Sequence, residues 1–199
     1  MKFKITLKID RKYGDLLPFN YQYEQSAVIY RILAQADTQY SSWLHENGYL
    51  LHERKRFKLF CYSPFIFEKV KPLKEEGCLK IIGGKAVWYI SFIPEKSTLE
   101  FIQGIFAHQS FTIGNKKCQV AFDVVGVEAI PMPQLSEEMT FVALSPICVK
   151  LHADNKTQYL SPDNPMFAEG VLKGLKARYE SIHGQPFYFI WKTRSFHLN

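Results

Sequence analysis

Residues 2–9 alternate strictly, with Phe3, Ile5, Leu7 and Ile9 on one face and Lys2, Lys4, Thr6 and Lys8 on the other. A period of two marks a strand with one buried face. Gly14-Asp15-Leu16-Leu17-Pro18-Phe19-Asn20 then reads as a loop. From Glu24 the period lengthens: Val28, Ile29, Ile32, Leu33 and Ala36 recur at helical spacing. Asp37 as cap and Gly48 as terminator predict a second, short helix ending near Asn47. Phe57 to Ser63 reads as a strand. Gly83-Gly84, between two β-type runs in residues 79–93, signals a hairpin. Ser97-Thr98-Leu99-Glu100 matches the capping-box pattern ahead of a stripe of Leu99, Ile102, Ile105 and Phe106. Phe111 to Ile130, turning at Gly114-Asn115, adds more strand. The order strand, helix, strand, strand, helix, strand is that of a ferredoxin-like βαββαβ unit.

Pro131-Met132-Pro133 predicts a boundary. Beyond it, residues 140–151 read as a strand, Pro165 to about Tyr179 as a helix, and residues 186–197 as a further strand. That is half of a second such unit. The expectation is an α+β protein with tandem ferredoxin-like (RRM-like) domains, residues 1–131 and 132–199, the second one incomplete.

At 199 residues, 47% hydrophobic and 22% charged, the composition excludes disordered and low-complexity classes. No apolar run approaches the ~20 residues of a membrane helix, and the first ten residues lack the unbroken apolar stretch of a signal peptide. A cytoplasmic protein without membrane association is expected. The formal charge of +6 favours a polyanionic partner. Cys61, Cys78, Cys118 and Cys148 lack zinc-site or redox spacing, so buried, unpaired thiols are expected.

Three reactive side chains stand in the first third of the chain: Tyr30, His45 and Lys58. A phenol, an imidazole and an ammonium together can cleave RNA without a metal. One group takes the proton of the ribose 2′-hydroxyl, another protonates the departing 5′ oxygen, and a cation offsets charge on the phosphate. A phenol would need neighbouring cations to lower its pKa before serving as base. Each residue also has a plain reading: Tyr30 at the edge of a core, His45 as a surface or capping histidine. Arg54, Lys55, Arg56 and Lys58 read equally as a solvated turn or as contacts to an RNA backbone. The other histidines show no metal spacing, and no P-loop or nucleophile elbow is present. Dispersed carboxylates disfavour a two-metal nuclease. No metal or other cofactor is expected.

Longer motifs point further. Leu17-Pro18-Phe19-Asn20-Tyr21-Gln22-Tyr23, Ala27-Val28-Ile29-Tyr30-Arg31-Ile32-Leu33, Trp43-Leu44-His45-Glu46, and Phe57-Lys58-Leu59-Phe60-Cys61-Tyr62-Ser63 occur in order, followed by the run Phe141 to Val149. Together they resemble the CRISPR-associated repeat-processing endoribonucleases, the sixth Cas family within the RAMP superfamily. The resemblance implies two ferredoxin-like domains in tandem that bind the repeat of precursor CRISPR RNA. It implies one metal-independent cut per repeat, leaving a 2′,3′-cyclic phosphate and a 5′-hydroxyl. It places a catalytic triad on Tyr30, His45 and Lys58, with His45 as general acid, Tyr30 as general base (roles that could be exchanged) and Lys58 as the cation. Arg31, Arg54, Lys55 and Arg56 would contact RNA. The glycine-rich loop that ends the family has no counterpart after Gly184, so a truncated member is expected, and a non-catalytic repeat-binding protein is the alternative function. A generic ferredoxin-like RNA binder is a third reading, but the aromatic ladder of an RRM is missing. Strand edges exposed in an unfinished unit favour a homodimer, and a CRISPR effector complex is a further expected partner.

Overall fold

The computed structural model describes residues 1–51, 55–134, 136, 138–143, 145–153 and 156–187. They form two compact units, one of residues 1–46 and 58–144, the other of residues 47–57 and 145–199.

The first unit is built on β1 (Lys2–Asp10), whose four apolar side chains are all buried. Strand β2 (Leu16–Pro18) and helices α1 (Gln22–Ala36) and α2 (Thr38–Glu46) follow. Strands β3 (Tyr49–Leu51) and β4 (Lys55–Phe57) belong to the second unit. Strands β5 (Phe60–Tyr62), β6 (Ile66–Phe67), β7 (Val70–Leu73), β8 (Cys78–Ile81) and β9 (Lys85–Phe92) return to the first. Helix α3 (Glu95–Ala107), β10 (Ser110–Gly114) and β11 (Gln119–Ile130) complete it.

The main sheet runs β10-β11-β1-β9-β5, all antiparallel, with β6 also on β9. Counting only β1, β5, β9 and β11, the spatial order is fourth, first, third, second. Helices α1 and α3 cover one face. Val28, Ile29, Ile32 and Leu33 of α1 and Phe101 and Ile105 of α3 are buried, and Phe101 packs its ring on Trp88 and Phe92 of β9. Each large apolar side chain buried there contributes about 1.5–3 kcal/mol. The helices approach closely because position 104 is glycine: a Cβ there would collide with the Ile32 carbonyl.

Several expectations are corrected. Gly83-Gly84 makes no hairpin: β8 pairs with β2 and β7 in a separate three-stranded sheet, while β9 pairs within the main one. The glycines instead carry the chain from one sheet to the other. Ser97-Thr98-Leu99-Glu100 is not a capping box, because α3 begins at Glu95 behind Pro94, and Ser97 is buried against the Tyr40 hydroxyl. The Phe57–Ser63 strand is broken. Phe57 closes β4 and Phe60 opens β5, and between them Leu59 adopts a left-handed φ of 56°. The thiols are not buried and unpaired: Cys78 and Cys118 form a disulfide, and Cys61 and Cys148 are exposed. Cys61 alternates outward between inward-facing neighbours, and Cys118 lies beside the β10–β11 turn.

In the second unit β3 and β4 form a hairpin, and β12 (Val149–Ala153) pairs with β13 (Lys156–Leu160). Helix α4 (Pro165–His183) is capped by the Asn164 side chain and ends at Gly184 in the left-handed conformation. Strand β12 begins only at Val149, so residues 140–143 and 145–148 are irregular where a strand was expected. In the expected strand of residues 186–197, Pro186 and Phe187 carry no regular structure, and the rest lies outside the described residues. No described helix is long and apolar enough to cross a membrane. The molecule is thus α+β with antiparallel sheets.

Candidate active site

Helix α1 ends where Asp37 takes over as cap of α2, its carboxylate accepting from the Tyr40 N–H at 2.8 Å. That hydrogen bond, aided by Lys96, holds the Asp37 pKa below the ordinary carboxylate value. The chain reverses, and α2 lies against α1. Ser41 locks the pair by donating its hydroxyl to the Tyr30 carbonyl at 2.8 Å. This places the last turn of α2, which carries His45, beside the middle of α1, which carries Tyr30. The two rings meet edge to face, with centroids 4.9 Å apart and planes at 86°.

Lys58 arrives from β5's side. Its ammonium donates to the carbonyls of Leu44 and His45. These are orphan acceptors at the C-terminus of α2, where a cation is also favoured by the helix dipole. The left-handed turn at Leu59 lets Lys58 reach α2 while Phe60 enters the sheet. Leu59 is buried, so its apolar side chain offsets a backbone cost of about 1–2 kcal/mol.

The structure therefore brings Tyr30, His45 and Lys58 together. His45 is exposed, whereas Tyr30 and Lys58 are half-buried. Burial pushes the Tyr30 phenol above its ordinary pKa, and the neighbouring Tyr62 phenol adds to the effect. That direction opposes service as a base and favours a phenol that keeps its proton. Two aromatic residues escaped the sequence reading of this site. Phe60 packs edge-on against Tyr30 at 5.8 Å, and Tyr62 stacks on Phe60 while donating to the Gln22 carbonyl at 3.0 Å. Their inward alternation about Cys61 was the available signal.

The remaining candidates stand elsewhere. Arg31 is exposed on α1 and donates to the Thr112 carbonyl of β10 at 2.9 Å; β10 and β5 are opposite edges of the sheet. Lys55 and Arg56 are exposed on β4 in the second unit. Arg54 lies outside the described residues. Among the described residues no three of His, Cys, Asp and Glu converge as metal ligands do.

Known proteins resemble this chain in sequence and fold. A family model described as CRISPR-associated protein Cas6, N-terminal, matches residues 16–124, and one described as CRISPR associated protein Cas6, C-terminal, matches residues 130–199. The CRISPR-associated endoribonuclease Cas6 1 of Methanocaldococcus jannaschii is 27% identical over 186 residues, covering 92% of this chain and 67% of its own length. The CRISPR-associated endoribonuclease-like protein Cas6nc of Pyrococcus horikoshii is 25% identical over 190 residues, covering 93% and 73%. A solved structure described as an RAMP protein binding different RNA substrates matches with a TM-score of 0.73 at 25% identity, over 94% of this chain and 73% of that one. The chain spans about two thirds to three quarters of the length of these proteins. The two family models between them account for nearly all of the sequence, and the chain belongs to the CRISPR-associated Cas6 family.

Proposed function

We propose that the protein is an endoribonuclease of the cytoplasm that binds the repeat of precursor CRISPR RNA and cuts within it. The observation that carries this reading is the meeting of a phenol, an imidazole and an ammonium in the first unit. The 2′-hydroxyl loses its proton and its oxygen attacks the adjacent phosphorus. The bond to the 5′ oxygen breaks, leaving a 2′,3′-cyclic phosphate, and a proton delivered to the departing oxygen makes a 5′-hydroxyl. No metal takes part.

The raised phenol pKa favours the exchanged roles. His45 takes the 2′-hydroxyl proton, Tyr30 gives its proton to the 5′ oxygen, and Lys58 holds the imidazole-bearing turn and adds positive charge beside it. Lys55, Arg56 and Arg31, with Arg54, serve as contacts to phosphates. The names of the relatives, endoribonuclease and RNA-binding RAMP protein, support the substrate class. The strand order of the first unit supports a ferredoxin-like first domain, and the separate family model matched to residues 130–199 supports a second domain in tandem with it. The two family-model spans support a division into residues 1–131 and 132–199.

A second reading, repeat binding without cleavage, is favoured by the ammonium of Lys58 being engaged by two carbonyls and by a relative named only endoribonuclease-like. Incubation with end-labelled repeat RNA in EDTA separates the two. Site-specific cleavage to a cyclic phosphate supports the nuclease; tight, sequence-selective binding without product supports the alternative.

A further inference from the structure

Lys71 of β7 and Lys80 of β8 are directly opposite each other in the small sheet, and Leu16 of β2 completes the row. Ile81 and Leu17 are fully buried, so the alternation turns Lys71 and Lys80 to the outer face, where both are exposed. Like charges paired across strands, Cβ atoms about 5 Å apart, destabilise a sheet. Edge protection explains a lysine and Pro72 on β7, which is an edge strand. It does not explain Lys80, because β8 is the middle strand.

Cys78 is on the same side of β8 as Lys80, two residues away, but is buried, and its disulfide to Cys118 fastens the β10–β11 turn beside the exposed part of this face. That turn carries Lys116 and Lys117, both exposed. Elements distant in sequence thus gather four ammonium groups. The carboxylates on these elements are Asp15, 4.0 Å from Lys80, and Glu75 and Glu76 in the β7–β8 turn. Among the described residues Lys71, Lys116 and Lys117 form no ion pair.

The patch is remote from the cut. Strand β9 enters from the small-sheet end at Lys85 and meets β5 at Ile90–Phe92, a run of about 20 Å at ~3.3 Å per residue.

We propose that the outer face of the β2–β8–β7 sheet, with the β10–β11 turn, is a second RNA-binding surface that grips phosphates of the single-stranded precursor running beyond the cleaved linkage. It rests on the reading of the protein as an RNA-binding nuclease and extends it. Phosphate contacts carry affinity and salt dependence, not base selectivity. The surface therefore strengthens binding of long precursors and leaves the chemical step alone.

The test uses the full chain with Lys71, Lys80 and Lys117 all changed to Gln, exposed positions whose replacement spares the core. Two labelled RNAs are compared across a salt series, the bare repeat and the repeat with single-stranded flanks. For the flanked RNA the variant should bind roughly tenfold more weakly, and the slope of log affinity against log salt should fall by about 2, near 0.7 per lost contact. The bare repeat should lose less, and the single-turnover rate at saturating protein should match wild type. A variant with wild-type affinity and slope on flanked RNA overturns the second surface while leaving the nuclease reading standing. A wild-type protein that binds neither RNA overturns both.

Discussion

Tyr30 is held by three neighbours at once. His45 lies against its ring, Phe60 packs edge-on beside it, and Ser41 is bonded to its carbonyl. The burial that comes with this company raises the phenol pKa. A difference titration of wild type against Tyr30→Phe should show the lost phenol ionising above pH 10, with a midpoint at or below 10 contradicting the assignment. The role as proton donor has a sharper consequence. An RNA whose scissile 5′ oxygen is replaced by sulfur expels a thiolate that needs no proton. Tyr30→Phe should cleave the all-oxygen RNA about 10²–10⁴ times more slowly than wild type and recover most of that loss on the sulfur substrate, whereas His45→Ala should not recover. Recovery by His45→Ala instead would restore the original assignment, imidazole as acid and phenol as base. Lys58 has a structural duty as well, since it caps α2 through the Leu44 and His45 carbonyls. Lys58→Ala should therefore lower Tm together with the cleavage rate.

At the scale of elements, the site depends on how α1, α2 and α3 sit. Gly104 lets α3 touch the α1 backbone at Ile32. Gly104→Ala puts a methyl group into that carbonyl and should cost on the order of 3 kcal/mol, read as a drop in the denaturation midpoint. The α1–α2 corner depends on Asp37. Its carboxyl pKa is lowered in the folded state, so its contribution to stability is present above the unfolded carboxylate pKa and lost as pH falls through the lower folded value. Asp37→Asn should lower Tm at neutral pH, and the difference from wild type should shrink toward pH 3; a constant difference would contradict it. Elements with a clear period were legible in the sequence: β1 by alternation, α1 by its helical stripe, α2 by Asp37 and Gly48, α4 by its apolar spacing. Short strands were not. Three-residue β2, β3, β4 and β5 hold too few positions for a period to register. Gly83-Gly84 misled because a glycine pair marks a turn without saying whether the strands around it pair with each other.

At the scale of the whole molecule, the family was legible from ordered motifs, none of which is decisive alone. The convergence of Tyr30, His45 and Lys58 was not legible from spacing. It requires the α1–α2 reversal and the left-handed Leu59, neither of which leaves a periodic trace. The Cys78–Cys118 bridge was equally hidden, since a separation of 40 residues carries no motif. The central claim is that this meeting of side chains breaks an RNA backbone. Its most direct test is the single-turnover cleavage of labelled repeat RNA in EDTA by wild type and His45→Ala, with binding measured in parallel. The account predicts cleavage by wild type to a 2′,3′-cyclic phosphate, and a variant slower by about 10²–10⁴ that binds the RNA as tightly. A variant that cuts at the wild-type rate, or a wild type that binds repeat RNA and leaves it intact, would contradict it.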